Sequence, residues 1–291
     1  MRYLAADMDD GPADVAFENA DGEVSISTQH GRFSERYAKE RYGRLKELDR
    51  TVMSEYTDPH TVMLTLGGSV RNAAGGYRAP VDHAKDLTES KGAVRKAVHR
   101  ACGDKPHEIA TVFGYHENGY LHCHIGVYVD GPVSKADFKP VIDAHVNNSP
   151  IAKGSHHPYS EAISVHSHRN KGRSDGEYTS GLATYLGGNI LGIDGDVDGQ
   201  DRDAPLQAAV TVKASGINMI SLPRGWKNRL GVADDESDDG EWEYAGIVVD
   251  DNVIDVDGDS GGSSTEWVTP RELPDSVDPT DHLSDSEGGV G

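Results

Sequence analysis

The alternation of apolar and polar positions predicts a regular succession of strands and helices through the middle of the chain. Strands are predicted where short β-branched and apolar runs end at turn residues, as 61–66 does at Gly67-Gly68. Helices are predicted where apolar residues recur every three or four positions. The predicted strands are 61–66, 109–115, 121–129, 162–166, 208–212 and 219–222, and the predicted helices are 32–56, 82–101, 134–147 and 181–190.

The order of these elements indicates the fold class. From residue 61 to residue 166 the chain reads β-α-β-β-α-β, which is typical of an α+β protein with a ferredoxin-like (split βαβ) antiparallel sheet and helices on one face. The dipeptide Asn118-Gly119 between the second and third strands is a strong hairpin signal. Residues 32–231 are therefore predicted to form one domain, which begins with a basic helix.

Charge is distributed unevenly along the chain. Residues 232–291 contain 19 Asp and Glu side chains against Arg271 alone, a net of −18 out of −21, which leaves −3 for the rest. This composition predicts an acidic, mostly disordered tail, with 242–249 as a candidate local strand or docking segment. The polar residues 1–31 are predicted to form a loose leader. Acidity of this kind is typical of proteins adapted to a high-salt cytoplasm, and it suggests a haloarchaeal source.

Composition also excludes several classes of protein. No apolar run approaches the roughly 18 residues that a membrane-spanning helix needs, and the acidic N-terminus does not have the build of a signal peptide. The two cysteines, Cys102 and Cys123, cannot form a disulfide framework. We expect a cytoplasmic protein without membrane contact.

Two histidines inside an apolar strand are the most informative chemical feature of the chain. His122 and His124 stand two residues apart in 121–129, and successive side chains of a strand alternate between its faces. Both imidazoles should therefore point to the same side, close enough to bind one metal ion. Two buried imidazoles without such a role would cost desolvation free energy.

Three segments of the chain resemble, in order and spacing, the three motifs of HUH endonucleases. They are Thr61-Val62-Met63-Leu64-Thr65-Leu66, Leu121-His122-Cys123-His124-Ile125-Gly126-Val127 and Leu182-Ala183-Thr184-Tyr185-Leu186. Within that superfamily the chain looks most like the rolling-circle replication initiators of haloarchaeal plasmids and viruses. The resemblance covers about residues 32–230.

The resemblance implies a metal-dependent nickase of single-stranded DNA. His122 and His124 would hold Mg²⁺ or Mn²⁺, and Tyr185 would attack the scissile phosphate, leaving a 5′-phosphotyrosine and a free 3′-hydroxyl. The implied partners are single-stranded DNA at a replication origin and host replication proteins, with no small-molecule cofactor. From the residues alone, Tyr185 could also be a core aromatic, because Leu182, Leu186 and Ile190 on the same helix are apolar.

The chain departs from the family pattern at several positions. Gly114 stands where many relatives have a carboxylate as third metal ligand, so Glu117, His116, a distant side chain or water would have to fill that role. Relatives often carry a lysine three residues after the tyrosine or a second tyrosine four after it, and this chain has Gly188 and Asn189 there. A single-tyrosine mechanism follows, with Tyr178 as the reserve nucleophile.

Two basic segments are candidate DNA contacts. The first follows the strand at 162–166 and the second combines cations with an aromatic ring, which suits stacking on unpaired bases. The second segment could equally cap the domain. The candidate DNA-binding residues are Arg169, Lys171, Arg173, Trp226 and Lys227.

Three other functions are compatible with the same residues. A single-tyrosine transposase or relaxase would share the chemistry and differ in its DNA substrate. A non-catalytic DNA- or RNA-binding module on the same sheet would use the histidines only to stack or to bind phosphate. A zinc hydrolase would require a third side-chain ligand, which the sequence does not identify.

Overall fold

The protein, described by a computed structural model, divides into two units. Unit 1 is Met1–Met8 with Arg32–Asp234, and unit 2 is Asp9–Gly31 with Asp235–Gly291. The main span of unit 1 differs by three residues from the domain predicted at 32–231. The structure describes residues 14–18, 22, 24–28, 33–168, 178–190, 203–231, 243–249, 252–254 and 271–272.

The central element of unit 1 is a five-stranded sheet in which all neighbouring strands are antiparallel. Its strand order is β6-β3-β5-β4-β7. The three interior strands are β3, β5 and β4, and β6 and β7 lie at the two edges. The register places Thr65 opposite His124 and Gly114 opposite His122. The strands are β3 (Pro59–Leu66), β4 (His107–Tyr115), β5 (Leu121–Asp130), β6 (Ile163–Ser167) and β7 (Ile220–Ser221).

The helices of unit 1 begin and end largely at the signals in the sequence. The hydroxyl of Ser34 accepts a hydrogen bond from the Tyr37 amide at 3.1 Å and caps α1, and Asp137 accepts one from the Ser134 amide at 2.8 Å at the start of α4. The helices among the described residues are α1 (Glu35–Glu55), α2 (Pro80–Thr88), α3 (Lys91–Cys102), α4 (Lys135–Asn148), α5 (Tyr159–Ala162), α6 (Leu182–Gly187), α7 (Asp203–Ser215) and α8 (Trp226–Arg229), with a 3₁₀ turn at Gly154–His156.

Two predictions of secondary structure were wrong. The helix predicted at 82–101 is divided into α2 and α3, which are separated at Glu89 and Ser90. The strand predicted at 208–212 lies within helix α7. Ala204, Ala208 and Val212 follow one another at intervals of four residues and are all buried, which is the spacing of one helix face rather than of a strand.

Apolar helices cover both faces of the sheet, so the predicted placement of helices on one face only was wrong. Along β5 the odd-numbered residues point into core A, which α2, α3, α4 and α7 complete. Tyr128, with Ala110 and Val112 of β4, points into core B, which is completed by α1 and α6. His122 and His124 lie on the core B face, because their numbers are even.

Unit 2 contains a second antiparallel arrangement of strands. Its order is β10-β9-β8-β1-β2, and it pairs the first strand of the chain with a strand of the acidic tail. The described strands of the predicted leader and of the predicted acidic tail share this sheet, and β8 coincides with the local strand that the sequence suggests at 242–249. The strands are β1 (Asp14–Glu18), β2 (Val24–Thr28), β8 (Glu243–Val249), β9 (Asn252–Ile254) and β10 (Arg271–Glu272).

The described helices include none with the length and apolar character that crossing a bilayer requires.

Candidate active site

His122 and His124 form the centre of the candidate site. Their side chains are buried on the core B face of β5, and their Nε2 atoms lie 2.8 Å apart. The ring planes are nearly perpendicular, at 83°. On the far side of His124, its Nδ1 lies 3.2 Å from Oγ1 of Thr65, the residue opposite it on β3. The sequence prediction that both imidazoles share one face of a strand is met by this geometry.

Both imidazoles are held in the neutral state. Burial lowers the pKa of His122 to about 3 and that of His124 to about 4, and the positive charge of neighbouring histidines lowers both values further. Contact with the side chain of Asn189 acts in the opposite direction on both. Nδ1 of His122 is buried without a hydrogen-bond partner among the described residues. Neutral imidazoles with free lone pairs are the form that binds metal ions.

The spacing of the two Nε2 atoms fits adjacent ligands of a metal ion. Ligand nitrogens at about 2.1 Å from an ion and at right angles to each other would be separated by about 3.0 Å, close to the observed 2.8 Å. Within the part of the chain that the structure describes, no group of three or more His, Cys, Asp or Glu side chains is arranged to hold a metal. Among these residues, the histidine pair thus offers an ion two imidazole ligands.

Gly114 explains why a carboxylate is missing from β4. A Cβ atom at this position would lie 2.7 Å from Nε2 of His122 and 2.8 Å from Oδ1 of Asn189, and both distances are below any ordinary contact. The space that a third ligand would occupy is filled by an imidazole and an amide. Glu117, the candidate replacement, is exposed in the turn after β4, whereas the ring of His116 lies 4.4 Å from that of His122.

Tyr185 lies beside the two histidines on the short helix α6. Leu182, Ala183 and Leu186 turn towards core B and fix the helix on the sheet, so that Tyr185 points away from the core. Its ring is 49% exposed and meets the ring of His124 edge to face, with 5.3 Å between centroids. A purely structural aromatic would be expected inside the core, which is not where this ring lies.

The reserve nucleophile Tyr178 is engaged elsewhere. Its hydroxyl lies 3.0 Å from Nδ1 of His168, whose Nε2 lies 2.9 Å from Oγ1 of Thr61. Thr61 precedes Thr65 by four residues on β3, a distance of about 13 Å along a strand. Tyr178 is thus held at the opposite end of this face from the histidine pair.

A buried carboxylate fixes the start of α6. Asp49 of α1 accepts hydrogen bonds from the amide of Ser180 at 2.7 Å and from its hydroxyl. The same hydroxyl oxygen accepts from the amide of Leu182 at 3.1 Å, inside the first turn of the helix. Burial raises the pKa of Asp49, and the hydrogen bonds from Ser180 offset part of that effect. Asp49 therefore connects α1 to the helix that carries Tyr185.

Asn189 was not assigned a role from the sequence. Its Nδ2 donates to the carbonyl of Tyr185 at 2.9 Å, and its Oδ1 is directed towards the histidine pair. One side chain thus connects the end of α6 to both imidazoles. The only signal in the sequence was its position four residues after Tyr185, one helical turn away.

The basic residues predicted to contact DNA have different outcomes. The indole of Trp226 is 7% exposed and packs in core B, so it cannot stack on a base; the alternative interpretation of this segment, as a cap on the domain, agrees with that position. Nζ of Lys227 forms an ion pair with Glu47 at 3.0 Å. Arg169, Lys171 and Arg173 lie outside the described residues.

Comparison with known proteins gives one family and two similar chains. The family model described as "Putative rep protein (DUF1424)" matches residues 4–267. An "Uncharacterized 36 kDa protein" of Halobacterium salinarum is 30% identical over 251 residues, which cover 83% of this chain and 79% of that protein. One of the same name from Halobacterium sp. (strain GN101) is 32% identical over 246 residues, 78% of this chain and 74% of that protein. No solved structure matches the chain.

Proposed function

Since the chain belongs to the family described as "Putative rep protein", we propose that it is an HUH-type initiator nuclease of rolling-circle replication. In this proposal it cuts one strand of DNA at the replication origin of a plasmid or virus and stays attached to the new 5′ end. The free 3′ end then serves host replication proteins as a primer.

One observation carries the proposal. An exposed tyrosine ring, Tyr185, packs edge-on against His124 of a buried pair of neutral imidazoles. The phenolic oxygen of Tyr185 would bond to phosphorus while the bond from phosphorus to the 3′ oxygen breaks, and the phenolic proton would end on that 3′ oxygen. The products are a 5′-phosphotyrosine and a 3′-hydroxyl, so no other reactant is consumed.

The histidine pair would hold Mg²⁺ or Mn²⁺. Their lowered pKa values leave both Nε2 atoms available as ligands at neutral pH, and their separation suits adjacent positions around such an ion. When bound, the ion contributes neutralisation of charge on the scissile phosphate. Thr65 and Asn189 orient the imidazoles, which is the role of outer partners in metal sites.

The fold supports the same function. The strand order β6-β3-β5-β4 with all neighbours antiparallel is the arrangement that a split βαβ sheet produces. It brings Thr65 of the first motif, His122 and His124 of the second and Tyr185 of the third to one face. Both similar proteins come from Halobacterium, which supports the interpretation of the acidic composition as an adaptation to salt.

A covalent capture assay tests this function. The protein is mixed with Mn²⁺ and single-stranded oligonucleotides that cover the element encoding it, each labelled at its 3′ end, and the products are separated on a denaturing gel. We expect labelled protein, because the 3′ fragment carries the phosphotyrosine. Tyr185→Phe should abolish it, whereas Tyr178→Phe should retain it.

Other outcomes of the assay would favour the other functions. Covalent adduct that persists in Tyr185→Phe would remove this residue as nucleophile. Cleavage at the ends of the element rather than at one internal origin would indicate a transposase. Oligonucleotide binding that EDTA leaves unchanged, with no adduct under any condition, would indicate a non-catalytic binding module.

A further inference from the structure

We infer that the hairpin of residues 69–78 binds an unpaired base of single-stranded DNA by stacking it on Tyr77. This inference rests on the proposed function and adds to it the place where the DNA strand is held next to the site. The hairpin follows β3 directly and had no assigned role from the sequence.

The hairpin is fixed in shape by its own hydrogen bonds. Oδ1 of Asn72 accepts from the amides of Ala74 and Gly76 at 3.0 Å each, and Gly75 has the positive φ of +84° that such a turn needs. At the base, the amide of Arg78 donates to the carbonyl of Val70 at 2.9 Å. A binding loop ordered before its ligand arrives loses less entropy on binding.

Tyr77 and Arg71 form an exposed pair on this hairpin. Tyr77 is 64% exposed, the highest value among the large apolar side chains that the structure describes. The guanidinium of Arg71 lies 4.6 Å from the centre of its ring and donates to its hydroxyl at 3.3 Å. Arg71 forms no ion pair with a carboxylate of the described residues, so its charge is available for a phosphate.

An aromatic ring with a cation over it, where that cation pairs with no carboxylate of the described residues, is the composition that recognises a single-stranded nucleotide. Aromatic rings stack on any base, and the adjacent cation attracts the phosphate of the same strand. Isolated exposed tyrosines are common on protein surfaces. Here the ring is held by a rigid turn and by Arg71, and it lies next to a candidate nuclease site.

The base of the hairpin is tied to the strand that carries the histidines. The hydroxyl of Tyr120 donates to the carbonyl of Arg78 at 2.6 Å, and Tyr120 precedes His122 by two residues. His83 packs against the ring of Tyr120 with 5.1 Å between centroids. On the other side, β3 ends at Leu66, which pairs with Cys123 between the two histidines. The hairpin thus lies at the end of the sheet that carries His122 and His124.

The test compares two probes that differ only in their bases. Fluorescein-labelled (dT)₂₀ and a 20-mer of abasic sugar-phosphate are titrated with protein in EDTA and 0.5 M KCl, and binding is followed by fluorescence anisotropy. We expect Tyr77→Ala to weaken binding of (dT)₂₀ about tenfold and to change binding of the abasic probe less than twofold. Tyr77→Phe should bind both probes within twofold of the wild type, since stacking does not need the hydroxyl.

A matched control distinguishes base stacking on Tyr77 from the general effect of removing an exposed tyrosine. Tyr159 of α5 is also exposed and also has a cation, Lys139, over its ring, but it lies outside the hairpin. Tyr159→Ala should bind (dT)₂₀ and the abasic probe with affinities within twofold of those of the wild type. Arg71→Ala should weaken the binding of both probes and reduce the salt dependence of that binding, because it removes a phosphate contact.

The outcomes distinguish this inference from the proposed function. Wild-type binding of (dT)₂₀ that Tyr77→Ala leaves unchanged, or an equal loss on the abasic probe, would overturn the stacking contact alone. A wild-type protein that binds neither probe would also overturn the stacking contact, whereas the proposed function is decided by the capture assay on oligonucleotides of the element itself. Because EDTA prevents cleavage, the tenfold loss in Tyr77→Ala would support the hairpin contact even if Tyr185 proved not to be the nucleophile.

Discussion

At the scale of single residues, the site depends on one position without a side chain. Gly114 faces the narrow space between His122 and Asn189, and any Cβ there would displace one of them. The sequence showed only that a carboxylate common in relatives was absent. It could not show why, because one of the two side chains that fill the space is that of Asn189, which follows α6 and lies 75 residues later in the chain.

A substitution at Gly114 tests this packing. Gly114→Ala should lower the free energy of unfolding by about 1–3 kcal/mol, since an added methyl group overpacks a closed space. It should also reduce covalent adduct strongly, because His122 moves. Urea denaturation at fixed salt measures the first effect and the capture assay the second.

Gly92 is the matched control for that substitution. It lies inside α3 with no atom within 4 Å of the Cβ position. Gly92→Ala should raise the free energy of unfolding by about 0.5–1 kcal/mol, because alanine favours a helix. A Gly114→Ala variant as stable and as active as Gly92→Ala would contradict the assigned crowding.

At the scale of elements, prediction succeeded where the pattern alone decides and failed where packing decides. Alternation along β5 correctly placed both histidines on one face. Helix α7 was missed because its alanine and valine residues are compatible with either structure until their burial is known. The helices on the core B face were not predicted, because the sequence pattern does not show that α1 and α6 pack against Tyr128, Ala110 and Val112.

The connection between α1 and α6 can be tested through Asp49. Asp49→Ala should lower the free energy of unfolding by about 1–3 kcal/mol, because it leaves the half-buried donors of Ser180 without their acceptor, and it should lower adduct yield by loosening α6. Asp49→Asn keeps an acceptor oxygen, so it should lower the free energy of unfolding and the adduct yield less than Asp49→Ala does. Asp49→Ala combined with Ser180→Ala should cost less than the sum of the two single changes. Strict additivity would mean that the two residues are not coupled.

Histidines buried around the turn after β3 predict a dependence of stability on pH. Nε2 of His145 donates to the carbonyl of Gly67 at 2.8 Å, and Oγ of Ser90 lies 2.7 Å from its Nδ1. Burial lowers the pKa of His145 and also that of His83, which lies beside Gly68. Each therefore takes up its proton at a lower pH in the folded protein than in the unfolded chain, where the pKa is near 6.5.

The sign of this dependence follows from proton uptake. The unfolded chain binds more protons below pH 6.5, so the contribution of these histidines is present above that pH and is lost as the pH falls. Between pH 7.5 and pH 5 we expect the free energy of unfolding to decrease, because burial holds the pKa of both histidines below 6.5 in the folded protein. His145→Gln should show a smaller decrease than the wild type in urea titrations at each pH. Equal slopes for the two proteins would argue against a neutral His145.

At the scale of the whole molecule, charge and sheet pairing divide the chain in different ways. The acidic tail carries nearly all of the net charge, which leaves residues 1–231 close to balanced. The charge pattern was visible in the sequence. The pairing of the tail with the first strands was not, because the two segments are separated by more than 200 residues and local patterns carry no information on their partner.

Deletions test whether the site depends on unit 2. The histidines and Tyr185 belong to β5 and α6 of unit 1, so a fragment of residues 32–234 should still form adduct. Removing residues 235–291 alone should retain adduct but promote association, because β1 would lose its partner β8 and present an open edge. Size-exclusion chromatography compares the two deletions. Loss of adduct in the 32–234 fragment, if it remains folded, would show that unit 2 completes the site.

The pairing of β1 with β8 also sets an order of events during synthesis. Glu18 pairs with Glu243, so the ribosome must produce residues 32–234 before the second sheet can close. Until β8 has been synthesised, β1 of the N-terminal hairpin lacks one of its two neighbouring strands. A chain that stops before β8 would thus present β1 as an open strand edge, which is prone to pair with another chain.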